Sequence, residues 1–171
     1  CKSCEFVHWG VWAGESTHPM PAGGPSVSDA VHGLAYVAGE VTQNLVSTPG
    51  DVDYTGAMIG SEYNAATGTL DRHVGNFNAT IDMDNRAVTY FGGSIGSFQN
   101  IVMSSGSAPI NTTGSAIFDF AVTDTVHTDA LGSVNGALFG PNAENIGGAF
   151  NIHSSALNAD ATGVYLGAQV P

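Results

Sequence analysis

From about residue 35 onward, apolar and polar positions alternate in short runs, the period of strands with one face buried. Phe77, Ala79, Ile81 and Met83 share one side, with Asn78, Thr80 and Asp82 on the other. Phe118, Phe120 and Val122 alternate with Asp119 and Ala121, and Val134, Gly136 and Leu138 with Ser133, Asn135 and Ala137. Phe150 and Ile152 oppose Asn151 and His153 in the same way. Strand signals recur near 52–59, 76–83, 86–92, 97–103, 116–123, 132–139, 147–153 and 161–168. Asp84-Asn85 reads as a two-residue hairpin turn, since both residues tolerate positive φ. Gly140-Pro141-Asn142 stops another strand: Pro141 has no N–H for the ladder and Gly140 accepts unusual backbone angles.

Eight short strands of this kind favour closure, because a closed sheet has no exposed edge. The expected fold is all-β, a single eight-stranded antiparallel up-and-down β-barrel with an N-terminal aromatic strand and loop extension. Glycines inside strands, Gly56, Gly136, Gly163 and Gly167, suit the tight curvature of a small barrel. Residues 1–13 read as an aromatic strand with apolar side chains on both faces, expected to be buried on both sides or to cross a barrel mouth. The three prolines in 14–28 mark a loop, and Ser28 to Gly33 reads as one helical turn between an N-cap and a stop. The division expected is a 1–32 segment packing on a 33–171 barrel domain.

Composition narrows the class. Glycine accounts for 23 of 171 residues and charged residues for 11%, too few helix formers for a helical surface. Fifteen acidic residues face only Lys2, Arg72 and Arg86, and the net charge of -12 argues against nucleic acid or an anionic membrane surface as partner. It suits an extracellular protein. No signal peptide or transmembrane run is evident, which reads as a mature product or an excised domain. The two cysteines, Cys1 and Cys4, form a CxxC pair. The β-rich sequence after them does not fit a thioredoxin-like helix, and a zinc half-site lacks a second pair of thiolates. A local disulfide in an oxidising compartment is the expectation, with a lipid-anchored Cys1 as the alternative.

The run Leu138 to Phe150 resembles the late hairpin of the β-barrel lobes of transferrin-binding protein B, a family of bacterial surface lipoproteins. Gly140, Pro141, Glu144, Gly147, Gly148 and Phe150 carry the match, with one shift in the glutamate spacing. Tyr36-Val37-Ala38-Gly39, Tyr54-Thr55-Gly56 and Gly75-Asn76-Phe77 look like the opening of the same lobe. Solute-binding-like domains of some large secreted bacterial proteins are similar as well, with a CxxC followed by Trp-Gly, here Cys1, Cys4, Trp9 and Gly10. The resemblance implies a β-barrel at the bacterial surface engaged in iron or haem acquisition, without catalytic residues. It lacks the second lobe that full members of the family carry.

Candidate chemistry is thin. Of the six histidines, His8, His18 and His32 lie in the N-terminal region with Tyr36 near in sequence, and they are the candidate ligand-binding residues for a haem or similar group. No HExxH or paired histidine motif supports a metal site. His127 and His153 read as exposed, and the pairs Asp51/Asp53, Asp82/Asp84 and Asp124/Asp129 as solvated loop carboxylates rather than calcium ligands. No GxSxG, P-loop or dinucleotide fingerprint occurs in a fitting context, so no catalytic residue is assigned. The expected function is a non-enzymatic extracellular or cell-surface binding module, capturing an iron-containing or other small ligand, or a surface protein partner. The alternative is a structural, adhesive or self-associating module of a bacterial surface protein or extracellular assembly.

Overall fold

The computed structural model describes residues 5–18, 27–43, 45, 50–111 and 114–171, for 11–18 and 27–34 as backbone only. Eleven strands follow in order among the described residues: β1 (Val7–His18), β2 (Val27–Gly39), β3 (Asp51–Asn64), β4 (Thr69–Asp82), β5 (Ala87–Ile95), β6 (Phe98–Met103), β7 (Ala108–Pro109), β8 (Ile117–Asp124), β9 (Leu131–Phe139), β10 (Asn145–Ser154) and β11 (Ala159–Gln169). There is no helix among the described residues.

Strands β3, β4, β5, β6, β8, β9, β10 and β11 pair antiparallel with their neighbours, and β11 returns to β3 to close the eight-stranded up-and-down barrel. The short β7 adds to β5 beside β6. The alternation read in the sequence is the one that packs: Phe77, Ala79, Ile81 and Met83 are buried, as are Phe118, Phe120 and Val122. The interior is filled by rings. Phe77 stacks on Phe91 at 5.5 Å, Tyr165 meets both edge-on at 5.0 and 5.4 Å, and Phe91 continues to Phe120 at 5.5 Å. Each such side chain contributes about 1.5–3 kcal/mol on burial. Gly136 makes room for this cluster, because the Tyr165 hydroxyl lies where a Cβ would stand and donates to Asn135 O at 3.2 Å.

Local readings differ in several places. The helical turn expected at 28–33 is instead strand β2, paired with β1 through Gly14↔His32, Ala13↔Gly33 and Thr17↔Ser28. Cross-strand pairing outweighs a short capping signal, since an isolated turn offers few hydrogen bonds for its entropy cost. The loop expected over 14–28 is strand at both ends. In the β4–β5 turn neither Asp84 nor Asn85 has positive φ; Arg86 takes it, at 52°. Asp82 braces that longer turn, accepting from the Asn85 backbone N–H at 2.8 Å and its side-chain amide at 2.6 Å. Strands β3 and β4 also run past their expected ends, to Asn64 and from Thr69.

The β1–β2 hairpin neither crosses a barrel mouth nor is buried on both faces where its side chains are described. It lies on the outer wall: Val7 and Val37 pack with the outward-facing Ala137, Phe139 and Leu166 in a second, smaller core. Residues 40–42 stitch it down. Glu40 N–H donates to Phe6 O at 3.0 Å, Gly140 N–H to Glu40 O at 2.8 Å, and Thr42 N–H to Leu138 O at 2.9 Å.

Candidate binding site

The glycine-proline turn after β9 is a structural anchor. Gly140 has φ 93°, and Ala143 sits in the left-handed region at 60°. A Cβ at Gly140 would collide with the Glu144 carboxylate. That carboxylate accepts from the Asn142 backbone N–H at 3.0 Å and from its side-chain amide at 2.8 Å. Burial opposes its ionisation, but its own backbone N–H and both Asn142 donors outweigh that and hold it below the usual range. Tyr54, buried on β3, donates its hydroxyl to Ala143 O at 2.7 Å. Burial pushes the Tyr54 phenol up to about 12, against a smaller opposing hydrogen bond from Gln169. Thr42 Oγ1 donates to Gly140 O at 2.6 Å, tying the hairpin connection to the same turn. Gly148 lies opposite Gly136, Gly147 opposite Ala137, and Phe150 is buried in the barrel.

Several carboxylates have similar duties, and the reading of Asp124 as a solvated loop group is corrected, whereas Asp129 stays exposed. Asp124 is 0% exposed and accepts from the backbone N–H of Gln99 at 3.0 Å and of Val126 at 2.8 Å. The His127 ring stands 3.4 Å from it and is partly buried rather than exposed. Asp129 accepts from Ala156 N–H at 2.8 Å and Ser154 Oγ at 3.0 Å; the Ala156 hydrogen bond is the main cause that keeps its carboxyl below the usual range. Glu62 receives the Ser97 N–H at 2.8 Å and hydroxyl at 2.6 Å, fastening the β5–β6 turn. Each caps backbone donors that a tight turn leaves unpaired. No group of three metal-ligating side chains occurs among the described residues.

Because rings fill the lumen, the concave surfaces lie outside it, under the hairpin. One cleft of about 670 Å³ lies between Val37 and the wall formed by Pro109, Ile117, Asp119, Asn135 and Phe139. A second, of about 520 Å³, is bounded by Trp9 above and by Ile59, Arg72, His73, Val74 and Ala149 below. The hairpin makes both by overhanging a wall on which apolar Ile59, Val74, Ile117 and Phe139 stand beside polar Asp119, Asn135 and Arg72. Trp9 remains 42% exposed and Val74 76%.

The sequence-derived candidates fall elsewhere. Strand register puts His8 and Tyr36 on the opposite face from Val7, Trp9 and Val37, turned away from the barrel. Tyr36 is half-exposed, and its ring covers Gly10. His32 pairs with Gly14 and His18 with Val27, further along the hairpin. His153 is exposed and bonds Asp160 at 2.7 Å. Cys1 and Cys4 lie outside the described residues. Arg72 and His73 were not singled out in the sequence; the only signal that could have raised Arg72 is its rarity, as one of three cations.

No family model matches the chain. No curated protein sequence matches it either. Solved structures do. A tryptophan-to-alanine mutant of the vaccine antigen Transferrin Binding Protein B from Haemophilus parasuis Hp5 superposes with a TM-score of 0.61, at 13% identity, over 99% of this chain and 34% of that one. A phenylalanine-to-alanine mutant of the same antigen from Actinobacillus pleuropneumoniae H49 gives 0.57 at 13% identity, over 98% of this chain and 78% of that one. This chain has the barrel fold of transferrin-binding protein B. It spans about a third of the length of the Haemophilus protein. The TbpB-like barrel accounts for the Gly140–Phe150 run as framework: the run joins β9 to β10 and anchors the hairpin, and its only side chain in the cleft below Trp9 is the methyl of Ala149.

Proposed function

We propose that the chain is a non-enzymatic binding module displayed outside a bacterial cell, with the β1–β2 hairpin as its binding element. The observation that carries this reading is the contrast between a lumen filled by aromatic rings and a hairpin that leaves open clefts on the outer wall. A packed barrel of eight strands has no room inside for a ligand, and a mostly apolar cleft beside it has. The likeness to a protein named for binding transferrin supports a surface location and capture of a partner or solute. An iron-bearing solute or haem is the first class to test, with His8, His18, His32 and Tyr36 as candidate ligands on the hairpin. Titration with haem and ferric chelates should produce a Soret band or a ferric charge-transfer band that His8→Ala, His32→Ala or Tyr36→Phe removes. Indifference to all of these ligands, together with self-association, overturns iron capture.

Self-association has its own support. The β4–β5 ladder covers only Asn76–Asp82, so the preceding part of β4 has an open edge among the described residues. Leu70, Val74 and Tyr63 are exposed there, and such an edge invites pairing. Concentration-dependent sedimentation that Val74→Lys abolishes would favour the assembly reading.

A further inference from the structure

The cleft beneath Trp9 combines two features that belong together in ligand recognition. Its walls are mostly apolar: the Trp9 indole overhangs Ile59, Val74 and Ala149, with Gly60 and Gly163 giving a floor without bulk and the hydroxyls of Ser61 and Thr162 beside it. At its margin stands Arg72, a guanidinium in a chain of net charge -12. The placement follows from register. Arg72 lies opposite Ser61 on β3, which itself lies opposite Thr162 on β11, so its outward neighbours are hydroxyls. Its other outward neighbours along β4 are Leu70 and Val74.

Of the nearby carboxylates, Asp71 alternates to the opposite face of β4 from Arg72, and two others are engaged elsewhere. Glu62 takes both Ser97 donors, and Asp160 holds the His153 ring. Among the described residues no carboxylate lies within ion-pair distance of Arg72. His73, also lining the cleft, stands 4.0 Å from Glu62. A planar guanidinium matches a carboxylate with two parallel hydrogen bonds.

We propose that this cleft binds a small amphipathic carboxylate, an apolar chain or ring system under Trp9 with its carboxylate on Arg72. This rests on the reading of the hairpin as a binding element and names a ligand class for its barrel-facing side. A volume of about 520 Å³ accepts a medium-length aliphatic acid. Net charge decides which anions are admitted: the surrounding acidic surface repels polyanions, while a single carboxylate with a large apolar body gains from Arg72 and from burial.

The test uses dodecanoate below its micelle concentration and its neutral counterpart dodecanol, in a Trp12→Phe background where Trp9 is the sole indole. Dodecanoate should change Trp9 fluorescence saturably. Arg72→Gln should weaken dodecanoate at least tenfold and leave dodecanol within twofold, because only the charged contact is lost. Val74→Asp should weaken both. Arg72 and Val74 are exposed, so both variants should keep the parent's circular dichroism and thermal midpoint. Equal dodecanoate affinity in parent and Arg72→Gln overturns the carboxylate assignment while leaving the cleft a binding site. No saturable response to either probe overturns the cleft itself. A haem or ferric response on the other face of the hairpin would still stand in that case.

Discussion

Tyr54 and Ala143 are far apart in the chain and meet at one hydroxyl, 2.7 Å from the carbonyl it serves. Nothing in the alternation around Tyr54 announces that partner, although the strand itself was legible from residues 52–59. The same holds for Asp124, whose backbone donors lie across a turn and on a neighbouring strand. Short-range patterns reveal which way a side chain points, and long-range pairing decides what it meets there. Replacing Tyr54 with Phe keeps the ring packed and leaves Ala143 O without its hydroxyl donor. Urea unfolding should show a loss of about 1–2 kcal/mol with an unchanged slope. Asp124→Ala should cost more, about 3 kcal/mol, since it leaves at least two backbone N–H groups near a buried site unpaired.

At the scale of elements, the eight barrel strands were readable because alternating runs such as Phe77–Met83 and Phe118–Val122 recur between turn residues. Two properties were not. The first half of β4 carries mostly exposed side chains, so no apolar periodicity marks it, and the ladder to β3 holds it extended. The β1–β2 hairpin was hidden by its prolines and by a plausible cap at Ser28, and its docking depends on Ala137, Phe139 and Leu166, drawn from two separate strands. The clefts were equally invisible, for their lining comes from many strands: β1, β2, β3, β4, β10 and β11 all contribute to the one below Trp9. Val7 is the hairpin's most buried described anchor, at 1% exposure. Val7→Asp should therefore release the hairpin without unfolding the barrel. Hydrogen exchange should lose protection over 35–39 while β9 and β10 keep theirs; loss of protection throughout would mean that hairpin and barrel fold as one unit.

For the whole molecule, the hydrogen-bonded carboxylates and buried phenols set opposite ends of one stability profile. Asp82, held down chiefly by the Asn85 side-chain amide, and Asp129 and Glu144, held down as described, bind protons less tightly folded than unfolded. Their contribution is present above the ordinary carboxyl range and is lost as pH falls through it, below about pH 4. Tyr54 behaves in the opposite sense. Its phenol is raised from 10.0 to about 12 by burial, so its contribution is intact below pH 10 and is lost as pH climbs toward 12. The rise from 10.0 to about 12 corresponds to about 2–3 kcal/mol. Tyr165, fully buried and also pushed up, adds to the same limb. Denaturant midpoints measured across pH should thus form a plateau between about 5 and 9, with a fall on each side. Tyr54→Phe should make the alkaline fall shallower without abolishing it, because Tyr165 remains. An alkaline limb of unchanged depth in that variant would place the titrating phenol elsewhere and remove Tyr54 as the clasp between the barrel and the turn that anchors its hairpin.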